Sequence, residues 1–276
     1  MLHVHRFTPE TKPSSTVMLL HGFMDAGGTW SEVAAGLVAR GHEVVAPDFR
    51  GFGSSDRVPE GAYYHFADYV ADVRALVDAV AADELTIVGH SMGGTVATYF
   101  AGARPEALGR LVLMEGVGPP DMAPEIGPQR MRTWLKQLER PKRSRPLDSL
   151  ESAVSRLAAN HPSVPEKTLR AVAVHLTSER NGQLHWAFDP LHRTTSPSLF
   201  RADAFRTFLE GIRCPVMFIS GGDAGWHPLD EGERLEALQM PLKRVVLEDA
   251  GHMMHWTKPA EVADAIANFI VSDAGH

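Results

Sequence analysis

The chain reads as an α/β protein built on a mostly parallel sheet of seven or eight strands, with helices on both faces and a helical insertion. Three observations predict this. Short apolar, β-branched runs alternate with helix-length segments, which requires right-handed crossovers and a mainly parallel sheet. The alternation stops at Gly116-Val117-Gly118-Pro119-Pro120 and resumes at Pro215. The pentapeptide Gly89-His90-Ser91-Met92-Gly93 stands where a strand meets a helix.

Strand signals fall at residues 2–7, 16–20, 42–46, 85–88 and 110–114, then at 215–219 and 244–247. Between them, 65–80 carries Phe66, Tyr69, Val70, Val73, Leu76, Val77 and Val80. That three-and-four spacing predicts an amphipathic helix with Asp68, Asp72 and Asp78 facing outward. From about 119 to 211 there are helical stretches, such as 129–138 and 150–159, and no clear strand. The reading is a core domain formed by 1–118 and 212–276, with a helical cap over 119–211. A last helix is expected at 259–270.

At 276 residues, 44% hydrophobic and 22% charged, the composition is that of a soluble globular protein with enough apolar surface for a core. A formal charge of −7 argues against a nucleic-acid partner. The single cysteine, Cys214, excludes an intramolecular disulfide and precedes an apolar run, so a buried, inert thiol is expected. The first residues lack a signal-peptide core and no run approaches transmembrane length, so the expected setting is cytoplasmic, with no membrane span. Residues 119–211 hold 14 Lys+Arg against 10 Asp+Glu, while the remainder holds 13 against 24. The basic stretch Arg140-Pro141-Lys142-Arg143-Ser144-Arg145-Pro146 makes much of that contrast and reads as a solvated loop.

The chemistry concentrates at Ser91. A serine at a sharp strand-to-helix turn projects its hydroxyl above the sheet edge, and small neighbours at 89, 93 and 94 let strand and helix approach. Acyl transfer by such a serine needs a base, a carboxylate to orient it, and amides to hold the oxyanion. The base candidate is His252, on the glycine-preceded loop Asp249-Ala250-Gly251-His252; His255 is its local rival. Two carboxylates compete for the acid. Asp223 follows the strand at 215–219, and Glu115 sits at the tip of the strand ending at Met114. Asp223 is preferred because it fits the more usual slot, and Glu115 stays open. The oxyanion donors are expected to be the amides of Met92, at the positive end of the new helix, and Phe23, in His21-Gly22-Phe23.

These pieces, with Asp48-Phe49-Arg50-Gly51-Phe52-Gly53-Ser54-Ser55, resemble the α/β-hydrolase superfamily over residues 16 to 270. The tail of the cap, around Leu184-His185-Trp186-Ala187-Phe188-Asp189, resembles that of serine hydrolase-like proteins. Two features depart from the pattern. Only one strand, at 2–7, precedes the strand that leads into the His21 loop, where the family usually has two. The Gly222-Asp223 spacing is shorter than usual, and some haloalkane dehalogenases of this fold carry the acid at the Glu115 position. Ser91 speaks against epoxide hydrolases and dehalogenases, which use a carboxylate nucleophile. What the resemblance implies is a serine hydrolase of carboxylic esters, thioesters or lactones acting through an acyl-enzyme, on a small-molecule substrate. A C–C bond hydrolase of the same fold and a non-catalytic ligand binder are the alternatives. No cofactor and no metal is expected. His3 and His5 share a strand face with no third ligand evident and read as solvated edge residues. Trp134, Trp186, Phe188 and Trp226 are candidate pocket aromatics, or else cap packing.

Overall fold

Side chains alternate along the central strands, and this divides the core in two. The computed structural model describes residues 1–140 and 142–272, so Pro141 of the basic stretch lies outside the described residues. In chain order the strands are β1 (Val4–Phe7), β2 (Thr16–Leu20), β3 (Glu43–Pro47), β4 (Leu85–His90) and β5 (Arg110–Met114). Then come β6 (Thr177–Arg180), β7 (Gln183–Trp186), β8 (Val216–Ser220) and β9 (Leu242–Val246). Seven of them form one sheet in the order β1-β3-β2-β4-β5-β8-β9, parallel except for β1, which pairs antiparallel with β3. Met18, Leu20, Ile87, Leu111, Leu113 and Phe218 point to one face, while Val17, Leu19, Val88, Val112, Met114 and Ile219 point to the other. Period-two alternation with both faces apolar is what a parallel sheet covered on both sides demands.

The first face is covered by α2 (Phe66–Val80) and α3 (Met92–Ala103); the second by α1 (Ser31–Val38) and α10 (Pro259–Ser272). Asp72 of α2 does not face outward as its helical position suggested. It is buried and takes a bidentate pair from Arg50, at 2.7 and 2.6 Å, because a cation from the loop after β3 reaches across to it. Cys214 is buried as expected, and burial pushes its thiol up to about 11.

Between β5 and β8 the chain forms α4 (Gly127–Glu139), α5 (Leu150–Asn160), α6 (Glu166–Leu176), the hairpin of β6 and β7, and α7 (Ala202–Gly211). Helices α5 and α6 have their own apolar cluster, which closes onto Ala26, Met253 and Trp256 in the segments that follow β2 and β9. Helix α7 instead packs on α3, burying Phe205 and Leu209 in the core beneath it. The hairpin is a strand pair that the polar segment 177–180 did not reveal. Its turn, Asn181-Gly182, has φ of 52° and 72°, the paired positive values of a two-residue hairpin loop. The basic residues Lys142, Arg143 and Arg145 are exposed.

After β8, α8 (Glu231–Glu236) carries a fully buried arginine, and after β9 a short α9 (Met254–Thr257) leads into α10. Arg234 Nη1 donates to the carbonyls of Val117, Gly118 and Pro119 at 2.8–2.9 Å, and its Nε donates to Asp230 at 2.8 Å. It pins the segment through which the chain leaves β5 for the insertion. Removing one partner of a buried charged network leaves the others unsatisfied, at a cost of about 3 kcal/mol or more. Arg234→Met is therefore expected to lower unfolding free energy in urea titration by about 3 kcal/mol. A change within experimental error would show that these carbonyls find other partners.

Candidate active site

The parallel register brings the ends of β2, β4 and β5 level, with Leu20 opposite Gly89 and His90 opposite Met114. Strand order reverses direction between β2 and β4, and the crevice outside such a reversal is where open α/β sheets bind ligands. Six non-glycine residues have positive φ among the described residues. Four of them, Met24, Ser91, Glu115 and Asp249, lie just beyond β2, β4, β5 and β9, so backbone strain is concentrated at this edge.

Ser91 has φ 51° and ψ −114° and is the residue immediately before α3. The turn is possible because strand, helix and the β2 loop meet without side chains between them. A Cβ at Gly93 would strike the carbonyl of Leu20, and one at Gly22 would press on His90 and the Cβ of Ser91. The amides of Phe23 and Met92 have no hydrogen-bond partner among the described residues. Met92 opens α3, where the helix dipole presents its positive end.

His252 lies past β9. Its Nδ1 is 2.7 Å from Oε2 of Glu115, which is fully buried at the end of β5. The same carboxylate accepts the amide of Gly221 on Oε1 and of Trp226 on Oε2, both at 2.7 Å. Burial would push Glu115 up, but the His252 ring and these two amides outweigh it and hold the carboxyl below its ordinary range.

The preference for Asp223 as the partner of His252 is not what the structure shows. The loop after β8 makes a one-turn 3₁₀ helix at Gly222–Ala224, and Asp223 faces solvent from it. That loop contributes to the pair through its amides, not its carboxylate. His227, unremarked in the sequence, lies on the same loop with Nε2 3.7 Å from Glu115 and Nδ1 2.9 Å from Glu231.

Ser91, Met92, Phe23, Glu115 and His252 line one cavity of about 430 Å³. No hydrogen bond joins the Ser91 hydroxyl to His252 among the described residues. Catalytic bonds of this type are often long before substrate binds. His255 is elsewhere: its ring is fully buried and its Nε2 is 2.9 Å from Asp25. His90 also lies beneath the cavity, its Nε2 donating to the His252 carbonyl at 2.8 Å. Burial, then the neighbouring rings of His255 and His252, push His90 well down, so it is a neutral strut.

Of the four tryptophan and phenylalanine candidates only Trp226 lines this cavity. Trp134 packs edge-on to Tyr63, while Trp186 and Phe188 stack on each other along the other side of the insertion. The aromatic wall is built instead by Phe23, Tyr63, Tyr64, Phe66 and Tyr69; the sequence marks Phe23 for its amide and Phe66 and Tyr69 as the apolar side of α2, none of them as a pocket aromatic. His192 joins them, stacked on Phe52 at 3.9 Å, and burial pushes it down to about 4.

Among the described residues, two trios have metal-like spacing. His3 and His5 do have a third neighbour, Asp48, and Asp25, His90 and His255 form a buried second group. In each the carboxylate is already engaged. Asp48 accepts amides from Gly27 and Ser54, and Asp25 accepts from Ala26, Thr29 and His255, so both groups are accounted for as hydrogen-bonded struts.

Because Glu115 is held ionised in the folded protein, its stabilising contribution is complete above its ordinary value near 4.5 and is lost as pH falls through the lower folded value. The difference in melting temperature between wild type and Glu115→Gln should be largest at neutral pH and close on acidification. A gap that stays constant down to pH 3 would show that the carboxyl is not held down by these partners.

The comparisons agree with this architecture. The sequence model for the alpha/beta hydrolase fold matches residues 15–259. A serine hydrolase-like protein of Danio rerio is 41% identical over 102 residues, which covers 37% of this chain and 31% of that protein, so the match spans about a third of the relative's length. The crystal structure of a hypothetical protein from Pseudomonas aeruginosa PAO1 is similar with a TM-score of 0.86 and 28% identity, covering 98% of this chain and 95% of that one. A thioesterase domain from the curacin biosynthetic pathway follows at 0.81 and 26%, covering 98% and 94%. With the family model spanning most of its length, the strained serine before α3 and the parallel sheet beneath it, this chain belongs to the α/β-hydrolase fold family.

Proposed function

We propose that the protein is a serine acyl hydrolase, cleaving carboxylic esters or thioesters with Ser91 as nucleophile, His252 as base and Glu115 as the orienting acid. The observation that carries this reading is the 2.7 Å contact of a buried carboxylate with His252 Nδ1, on a cavity that also holds a serine at φ 51°. With Nδ1 committed to Glu115, the Nε2 of His252 is the nitrogen left to take the Ser91 proton as the hydroxyl attacks an acyl carbonyl. The carbonyl oxygen becomes an oxyanion, held by the amides of Phe23 and Met92, which have no other partner among the described residues. His252 then protonates the departing alkoxide or thiolate. Water, deprotonated by the same ring, attacks the acyl-serine, and Ser91 leaves as the restored hydroxyl with the acid product. The resemblance to a thioesterase domain supports acyl transfer of this kind. No step uses a metal or cofactor.

The assignment is tested on a panel of p-nitrophenyl esters and acyl thioesters. Ser91→Ala should reduce turnover by as much as ~10⁶ if the three groups act as a unit. Glu115→Gln should reduce it by about 10⁴, since the wrong tautomer of His252 is then favoured. Asp223→Asn should retain wild-type turnover. If Asp223→Asn cripples turnover and Glu115→Gln does not, the acid has been misassigned. A protein that cleaves a vinylogous diketone faster than any ester or thioester is a C–C hydrolase, and one whose Ser91 ignores a fluorophosphonate is a binder.

A further inference from the structure

The cavity at Ser91 does not end the space above the sheet. A second cavity, of about 590 Å³, shares Phe66, Thr95, Pro119 and Ser196 with the first and continues away from His252. Helix α3 supplies its floor. Ser91, Thr95, Tyr99 and Ala103 recur every fourth residue, so one face of the helix runs from the serine through the neck at Thr95 to the far end. At 1.5 Å per residue, Tyr99 lies about 12 Å and Ala103 about 18 Å along the axis from Ser91. Most of the wall is carbon, from Val70 of α2, Phe208 of α7, and Met122, Leu199 and Phe200 of the insertion. The one charged lining residue is Arg130, and its guanidinium already donates from Nε and Nη2 to the Ser196 carbonyl at 3.2 and 3.0 Å. Besides Arg130 the polar lining is hydroxyl only, from Thr95, Tyr99, Ser196 and Ser198, with the Thr95 and Ser196 hydroxyls turned back to the carbonyls of Ser91 and Ser198.

We infer that the second cavity seats the acyl chain of the substrate, an unbranched hydrocarbon of about ten carbons or more, with its carbonyl at Ser91 and its tail along the Thr95–Tyr99 face of α3. The length follows from the geometry. An extended chain advances about 1.2 Å per bond, a third of the reach of one extended residue, so about ten bonds bring it to Tyr99. The leaving group then occupies the aromatic cavity beside Trp226. This inference rests on the acyl-hydrolase reading above and adds the chain class to it.

The test is the acyl-length profile of kcat/KM, from acetate to myristate esters of one leaving group. Each methylene that enters an apolar site should raise kcat/KM about three- to fourfold until the chain reaches about ten carbons. Ala67→Trp and Ala103→Trp place an indole in the second cavity alone, from exposed helix positions. Each should lower the decanoate-to-acetate ratio by about tenfold, the loss of roughly two buried methylenes. Thermal melts confirm that both variants fold. A profile flat beyond butyrate, or a ratio unmoved by both indoles, overturns the subsite. Labelling of Ser91 by a small fluorophosphonate separates the two readings. If Ser91 is labelled and the ratio is unmoved, the hydrolase reading stands and the subsite falls. If Ser91 is not labelled, calorimetric binding of decanoate to wild type and to Ala67→Trp decides the subsite alone, with loss of binding in the variant supporting it and equal or absent binding overturning it.

Discussion

Glu115 leaves β5 in a left-handed conformation and turns a fully buried carboxylate toward the loops that follow β8 and β9. There it accepts two backbone amides from the first loop and the His252 ring of the second. A carboxylate so deep would normally favour its neutral form. Here it stays ionised because three donors converge on it, and those donors are what hold the loops at their places. The position of His252 over the sheet edge therefore depends on one side chain at the end of a neighbouring strand. His90 adds a second tie from below, through the carbonyl of His252 itself.

The nucleophile candidate is held by packing, not by charge. Ser91 occupies a backbone region that costs of order 1–3 kcal/mol, and it persists because the flanking segments over-determine it. Loss of side chains at Gly93 and Gly22 lets β2, β4 and α3 meet within backbone contact of one another. Phe23 and Met92 both line the cavity, and among the described residues their amides have no partner.

Much of this was legible in the sequence, for identifiable reasons. Central parallel strands are buried on both faces, so β2, β4, β5 and β8 stand out as apolar runs. The elbow was legible because its glycines follow from a local steric need. What failed was what depends on distant partners. Asp72 sits on what reads as the polar side of α2 until Arg50 reaches it from another loop. The strands β6 and β7 are polar and partly exposed, leaving Asn181-Gly182 as the one local clue. Asp223 and Glu115 both follow strands that end at the same edge. Which one meets His252 is decided by the path of the 221–226 loop, and residue type at the strand ends carries no record of that path. The aromatic wall is a related case: Tyr63, Tyr64 and Phe66 come from the start of α2 and the loop before it, while Trp134, Trp186 and Phe188 take the packing role that was their alternative reading.

The insertion and the core meet around the cavity through ordinary contacts. Phe52 pairs with Phe188, Tyr64 donates to Asp189, and Tyr69 is hydrogen-bonded to His192. This closes the aromatic side of the site while the Ser91 side remains bounded by the sheet loops. The most direct test of the account is a crystal structure of the protein phosphonylated at Ser91. The phosphonyl oxygen should lie about 2.7–3.1 Å from the amides of both Phe23 and Met92, with His252 Nε2 facing the Ser91 oxygen and Nδ1 still on Glu115. A phosphonyl oxygen turned away from both amides, or a His252 ring bonded to Asp223, would contradict it.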